Sequence, residues 1–190
     1  MKNDLIQRNL KGKVKTLSET NFDVVNKFGE IQKGDIVSKN ITLFNESGNK
    51  IEWSSYYSDG SLNSKSTSKY DDKGNIIEYN SYKPDGSLCS ITTYKYDDKG
   101  NMIEGNSYDN PDGSFFSKST FKYDDKGNLT EINNYPFHDG SLDFKWISKY
   151  DDKGNKIELS RYNPDCSLEY KETSKYDDKG NIIEYNSYKP

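Results

Sequence analysis

Tyr70-Asp71-Asp72-Lys73-Gly74-Asn75 recurs letter for letter from Tyr96, Tyr123, Tyr150 and Tyr176, at intervals of 26 or 27 residues. A fixed period of this length means that one small unit is stacked along the chain, each copy burying its apolar atoms mainly against its neighbours. The unit reads Gly-Asn-x-Ile-Glu-x-x-x-Tyr, a short gap, Asp-Gly-Ser-Leu, a run rich in Lys, Thr and Ser, and Tyr-Asp-Asp-Lys again. Ile76–Tyr82 and Leu88–Tyr96 are rich in Ile, Tyr and Thr and are bounded by Asp, Gly, Pro and Asn, which marks two strands and two turns per repeat. The predicted fold is all-β: about 13 strands in an elongated antiparallel meander of tandem hairpins, forming a single-layer twisted sheet. At about 4.8 Å per strand it would run for about 58 Å.

Asp71-Asp72-Lys73-Gly74 and Lys83-Pro84-Asp85-Gly86 each place Gly at the fourth position, as in a type I turn closed by a left-handed glycine bulge. Two registers are open. With that turn at both joints, Tyr70 lies opposite Ile76 and Tyr82 opposite Leu88, Glu78 and Asn80 join them, and both faces are mixed. With two-residue loops, Tyr70 faces Ile77 and Lys69 faces Glu78, and the sheet has one apolar side and one side of Glu and Lys pairs. The first is preferred, because Pro84 and Gly86 have direct steric reasons to be there.

Leu43–Asn49 is a worn copy of the hexapeptide joint, so the array begins earlier than its clean repeats. Residues 36–190 are expected to be tandem repeats, with a strand over Ile36–Phe44 and a partner around Lys13–Phe22. Residues 1–35 are expected to be an atypical capping repeat and connection, with Asp23–Gly34 folded over the first strands through Val24, Val25 and Phe28. Lys175–Pro190 repeats Lys69–Pro84 letter for letter. No return strand follows it. Either the array is cut short there, or Asn181–Tyr188 is an edge open to pairing with another chain.

Hydrophobic residues are 31% of the chain and charged residues another 31%, and 16 tyrosines supply much of the apolar area, so a thin structure without a large dry core is expected. The net charge of −4 comes from interleaved signs, whereas a nucleic-acid surface needs a clustered basic face. No apolar run is long enough to span a bilayer as a helix. The N-terminus lacks the pattern of a secretory signal. Cys89 and Cys166 are expected about 29 Å apart, too far for a disulfide. Cys166 replaces a turn glycine, and a relaxed loop is expected there.

With Tyr-Asp-x-x-Gly-Asn before one strand and Asp-Gly before the next, residues 36–190 resemble the YD repeats of bacterial Rhs and wall-associated proteins and of their relatives in toxin complexes and teneurins. The unit is more distantly similar to variant MORN repeats. The YD resemblance implies long hairpin arrays, which in some members wind into a hollow shell, and an extracellular, cell-surface or periplasmic location. This chain has longer repeats than that family, Asn where Arg is frequent after Gly, and too few repeats for a closed shell.

Asp71, Asp72 and Asn75 gather oxygen atoms in one turn, yet turn chemistry alone accounts for them, and no metal or cofactor is expected. The column Glu52, Glu78, Glu104, Glu131, Glu158 and Glu184 reads as a solvated ladder rather than paired catalytic carboxylates. His138 reads as a surface loop residue. No enzyme activity is expected, since a unique polar cluster is not visible. The candidate ligand-binding residues are Trp53, Tyr79, Tyr185 and Trp146, aromatic side chains that either pack across strands or stack on a sugar or a protein. The partner expected is a protein or a second copy, met on the sheet face and edge strands. A glycan on the aromatic columns is the alternative.

Overall fold

The computed structural model describes residues 3–109, 114–136 and 140–190. His138 therefore lies outside the described residues. After a single helical turn, α1 (Asp4–Gln7), come β1 (Thr16–Lys27), β2 (Glu30–Phe44), β3 (Lys50–Tyr57), β4 (Leu62–Tyr70), β5 (Ile76–Tyr82), β6 (Leu88–Tyr96) and β7 (Met102–Asp109). They are followed by β8 (Phe115–Tyr123), β9 (Leu129–Pro136), β10 (Phe144–Tyr150), β11 (Lys156–Tyr162), β12 (Leu168–Tyr176) and β13 (Ile182–Tyr188). The 13 strands form one open antiparallel sheet in chain order, not closed into a barrel. Two compact units are distinguished within it, Met1–Thr93 with Asp109–Gly113, and Tyr94–Tyr108 with Ser114–Pro190.

The hexapeptide turn is held by its first aspartate. Asp71 N–H donates to the Asn75 carbonyl at 2.9 Å, and Gly74 N–H donates to the Asp71 carbonyl at 3.0 Å. The Asp71 carboxylate accepts from the backbone N–H of Lys73 and of Asn75 on Oδ1 and from the Asn75 side-chain amide on Oδ2. Asp151 and Asp177 repeat the whole pattern. Gly74 has φ +84°, the left-handed conformation that the bulge requires.

Both sequence registers contribute to what is observed. Tyr70 pairs with Ile76 and Tyr82 with Leu88, as the glycine-bulge turn requires, but Lys69 pairs with Glu78. The difference is one extra residue, Ile77, inserted just beyond the turn, and Cys89 plays the same part in β6. Such a bulge shifts the strand by one place and exchanges its sides. Glu78, Asn80 and Tyr82 consequently share a face with Lys69, Thr67 and Lys65, while Tyr79 and Ser81 lie on the other with Ser68 and Ser66. The expectation of two mixed faces is corrected: one face carries the charge ladder and the other most of the aromatic rings.

Leu5 and Phe44 are the buried hydrophobic residues among those described. The most deeply covered side chains are small and polar, Thr42, Ser54 and Ser160, with Asn75 and Phe44 next. Among the described residues no second layer packs over the sheet, so mid-strand atoms are covered by longer neighbours lying across them. Tyrosine rings at the turn ends do this and find a polar end point: the Tyr70 hydroxyl donates to the Lys50 carbonyl at 2.8 Å, and Tyr176 does the same to Lys156 at 2.9 Å.

At the N-terminus, Asp23–Gly34 does not fold over the sheet. It continues β1 and β2 into a projecting ribbon whose tip, Phe28-Gly29, joins Lys27 to Glu30. The polar run Asn26-Lys27 and the Gly29 turn favour a hairpin over a buried connection. Phe28 and Val24 are fully or largely exposed. Capping falls instead to the residues before β1. Leu5 N–H donates to the Gly48 carbonyl, Asn3 donates to Ser47, and Asp4 accepts from Lys50 N–H at 2.6 Å. This closes the worn joint, where a Cβ on Gly48 would meet the Asn3 amide at 2.7 Å.

Cys166 does not relax its turn. It has φ +65° and keeps both bonds of the glycine turns, its own N–H to Asn163 and Asn163 N–H to Ser167, each at 3.0 Å. A side chain in that conformation costs about 1–2 kcal/mol, part of which glycine would return as unfolded-state entropy. Cys166→Gly is expected to stabilise the chain by about 0.5–1 kcal/mol, read as a higher urea midpoint at unchanged slope.

Candidate functional site: the two faces and the free edge

The charge ladder follows from the bulge. With Lys69 directly opposite Glu78, the two meet at 2.9 Å, and Lys122–Glu131 and Lys149–Glu158 repeat the geometry at 2.9 and 3.0 Å. A second lysine reaches the same glutamate from the following strand: Lys118 to Glu104 at 2.8 Å, Lys145 to Glu131 at 3.0 Å and Lys171 to Glu158 at 2.9 Å. The asparagine two residues on adds a third donor, as Asn133 does to Glu131 at 2.8 Å. Hydrogen bonds from Lys118, Lys95 and Asn106 lower the Glu104 carboxyl to about 2. Burial pushes Glu131 upward, and Lys122, Asn133 and Lys145 overcome it, leaving it also at about 2. These carboxylates are fully committed to structure and have no proton to exchange near neutral pH.

The opposite face carries all four aromatic residues singled out in the sequence. In the first unit, Trp53 pairs with Thr42 and Ser66, and Tyr79 with Ser68 and Thr92. In the second, Trp146 pairs with Ile132 and Arg161, and Tyr185 with Ser174. Around Trp146 the structure adds residues that the sequence reading passed over. Arg161 lies over the Phe144 ring at 4.8 Å and the Trp146 ring at 5.8 Å, and Tyr170 meets Trp146 edge-on at 6.4 Å. Glu169 pairs with the Arg161 guanidinium. Together with Lys189 they line a shallow cleft with two cations, one anion and three rings. Glu172 accepts from the hydroxyls of Tyr170 and Tyr185, which hold its carboxyl below the usual range, and that carboxylate, with Tyr170, pushes the Tyr185 phenol well up. The available signal was column-breaking: Arg161 stands where Ser55, Ser81, Ser107 and Ser187 stand in other repeats.

Asp71 and Asp72 line a larger cleft with Asn3, Asn45, Ser47 and Tyr70, yet the Asp71 carboxylate is already engaged. Both oxygens of Asp71 are occupied by the N–H groups that close its own turn. Among the described residues no group of three or more His, Cys, Asp or Glu is placed to hold a metal, and no helix is long and apolar enough to cross a membrane. Cys89 and Cys166 are free and exposed.

The free edge can be compared with a copy of itself. β5 and β13 have the same sequence, Ile-Ile-Glu-Tyr-Asn-Ser-Tyr. β5 is half-buried along nearly its whole length, whereas all of β13 but Asn186 is exposed, with Ile182 at 58% and Ile183 at 66%. The contrast is the effect of one missing neighbour.

No family model matches the chain, and a search of curated proteins returned no significant match. Among solved structures, the crystal structure of TcdB2-TccC3 matches with 16% identity and a TM-score of 0.51, over 94% of this chain and 11% of the matched chain. That of TcdB2-TccC3-Cdc42 matches with 15% identity and a TM-score of 0.50 over the same shares. This chain therefore spans about a tenth of the length of the chains it matches. At this identity the likeness shows a shared fold, a repeat-type β-sheet, and is consistent with the YD-repeat resemblance of the sequence.

The ladder makes stability depend on pH in a definite direction. Folded-state carboxyls at about 2, against 4.5 for an unperturbed glutamate, stabilise the fold fully above the ordinary range and lose that contribution as pH falls from about 4.5 to about 2. Thermal melts at low salt should decline steeply across that window. Glu131→Gln is expected to cost about 1 kcal/mol near neutral pH and to flatten the acid decline.

Proposed function

We propose that this chain is a non-enzymatic binding or structural module, acting at the bacterial cell surface through protein association on its sheet face and open edges. The observation that carries the reading is the projecting ribbon of β1 and β2, on which Val24, Phe28 and Ile31 stand fully or largely exposed. Apolar side chains held out on a hairpin in this way are suited to association with a protein surface. A non-catalytic role fits a surface built from repeated residues whose carboxylates are locked in ion pairs. The cell-surface location rests on the resemblance to YD repeats alone.

A second reading is favoured by the cluster around Trp146. Aromatic rings beside a guanidinium and a carboxylate form a shallow platform of the kind on which a sugar ring can stack while its hydroxyls meet charged partners. Trp146→Ala should then abolish glycan retention without changing the melting temperature by more than a few degrees. Unchanged retention removes this reading.

For association, light scattering over a concentration series is expected to show growth in mass beyond 21.9 kDa, suppressed by Val24→Lys combined with Phe28→Lys. A mass that stays at the monomer value would count against association through this ribbon.

A further inference from the structure

Ser66, Ser81 and Ser90 lie side by side across β4, β5 and β6, and the Ser81 and Ser90 hydroxyls meet at 2.7 Å. The same row in β10, β11 and β12 is Trp146, Arg161 and Tyr170. Phe144 likewise takes the place that Ser64 holds in β4. Large side chains therefore stand together in one patch where the array elsewhere carries a low row of serines. The repeat folds with serine at these places, so the sheet itself does not require the change.

The patch suits a ring that carries hydroxyls. Arg161 lies over the Phe144 and Trp146 rings and pairs with Glu169, and Tyr170 stands edge-on to Trp146. Aromatic rings offer an apolar surface to the C–H face of a sugar, and a guanidinium beside a carboxylate offers donors and acceptors to its hydroxyls. The cleft holds about 450 Å³, room for a sugar ring. Its charge is not balanced. With Arg161 taken up by Glu169, Lys189 has no opposite charge among the lining residues. Glu172 accepts from the Tyr170 and Tyr185 hydroxyls and does not line the cleft. Lys189 reaches this place because Tyr188 pairs with Lys171, which sets the next residue beside Tyr170. Lys83, the same residue after β5, heads a closed turn, so Lys189 would keep its position if the array continued past Pro190. The cleft lies on the sheet face over β10, β11 and β12 and needs no free edge.

We propose that this patch binds an acidic sugar, a pyranose stacked on Trp146 with its carboxylate on Lys189 and its hydroxyls on Arg161 and Glu169. The proposal rests on the glycan reading above and adds the charge of the ligand. One unpaired lysine suits one carboxylate, whereas a phosphorylated ligand calls for a cluster of cations.

The test is isothermal titration calorimetry of the full chain with oligogalacturonate and with a hyaluronan oligosaccharide, each compared with its own methyl ester, which removes the charge and keeps the rings. At least one acid is expected to bind, and its ester about five-fold more weakly or worse. Lys189→Gln should remove that difference. Trp146→Ser should abolish binding of acid and ester alike, while Trp53→Ala, outside the patch, should change neither. Serine stands at the position of Trp146 in β4 and β8, so Trp146→Ser is expected to keep the fold, checked by its melting temperature. Equal affinity for acid and ester overturns the preference for an acidic sugar and leaves the glycan reading standing. Absence of saturable binding by either acid overturns the proposal. Binding that survives Trp146→Ser overturns the site, and with it the glycan reading at Trp146.

Discussion

The hydrogen bonds from one aspartate across its own turn govern the rest of this molecule. With the Asp71 carboxylate accepting from Lys73, from the Asn75 backbone and from the Asn75 amide, the turn has one geometry, and so does each of its copies. A hairpin register is set by its turn, and a slip of one residue would move every side chain to the wrong face. With Leu5 and Phe44 the buried hydrophobic residues among those described, no large core would correct such a slip. Turn chemistry therefore carries here the specificity that packing carries in a globular domain. It also accounts for the invariance of Asp, Gly and Asn from copy to copy, while the strands between them vary.

Beyond the turn, one inserted residue per joint separates the chemistry of the two faces. Ile77 and Cys89 are the extra residues, and their effect is to bring Lys69 opposite Glu78 while Tyr70 still meets Ile76. Lysine and glutamate then alternate from strand to strand, so that neighbouring hairpins are tied by charge on one side and by rings on the other. Exposed ion pairs contribute little singly. Here Glu104 and Glu131 are each held by two lysines and an amide, and a network of that kind is the setting in which surface pairs count. The half-buried serines and asparagines complete the arrangement, since small polar side chains leave room for the long ones that cover them.

Much of this was legible in the letters. The 26- or 27-residue period gave strands at Ile76–Tyr82 and Leu88–Tyr96, and both are observed with those ends. The hairpin array, the turn type and the placement of Trp53, Tyr79, Trp146 and Tyr185 in strands followed from local pattern alone. Less was legible where the pattern stops. Asp23–Gly34 holds Val24, Val25 and Phe28, which suggests a segment seeking cover, yet two-residue turn geometry at Phe28-Gly29 keeps it a paired ribbon. Cys166 looked incompatible with its turn, yet the flanking bonds to Asn163 and Ser167 hold it in shape.

By itself the sequence determined the repeat, the strand boundaries and the turn closure, because these depend on residues within five places of one another. Tertiary structure alone decided which side chains meet across strands: the extra residue at each joint, the two-lysine grip on Glu131, and the grouping of Arg161 with Phe144, Trp146 and Tyr170. The physical reason is that a bulge costs little locally and shows no residue type of its own, while its consequence is read only in the neighbouring strand. The bareness of β13 beside its covered copy in β5 is of the same kind, since the two have one sequence and differ only in what lies next to them.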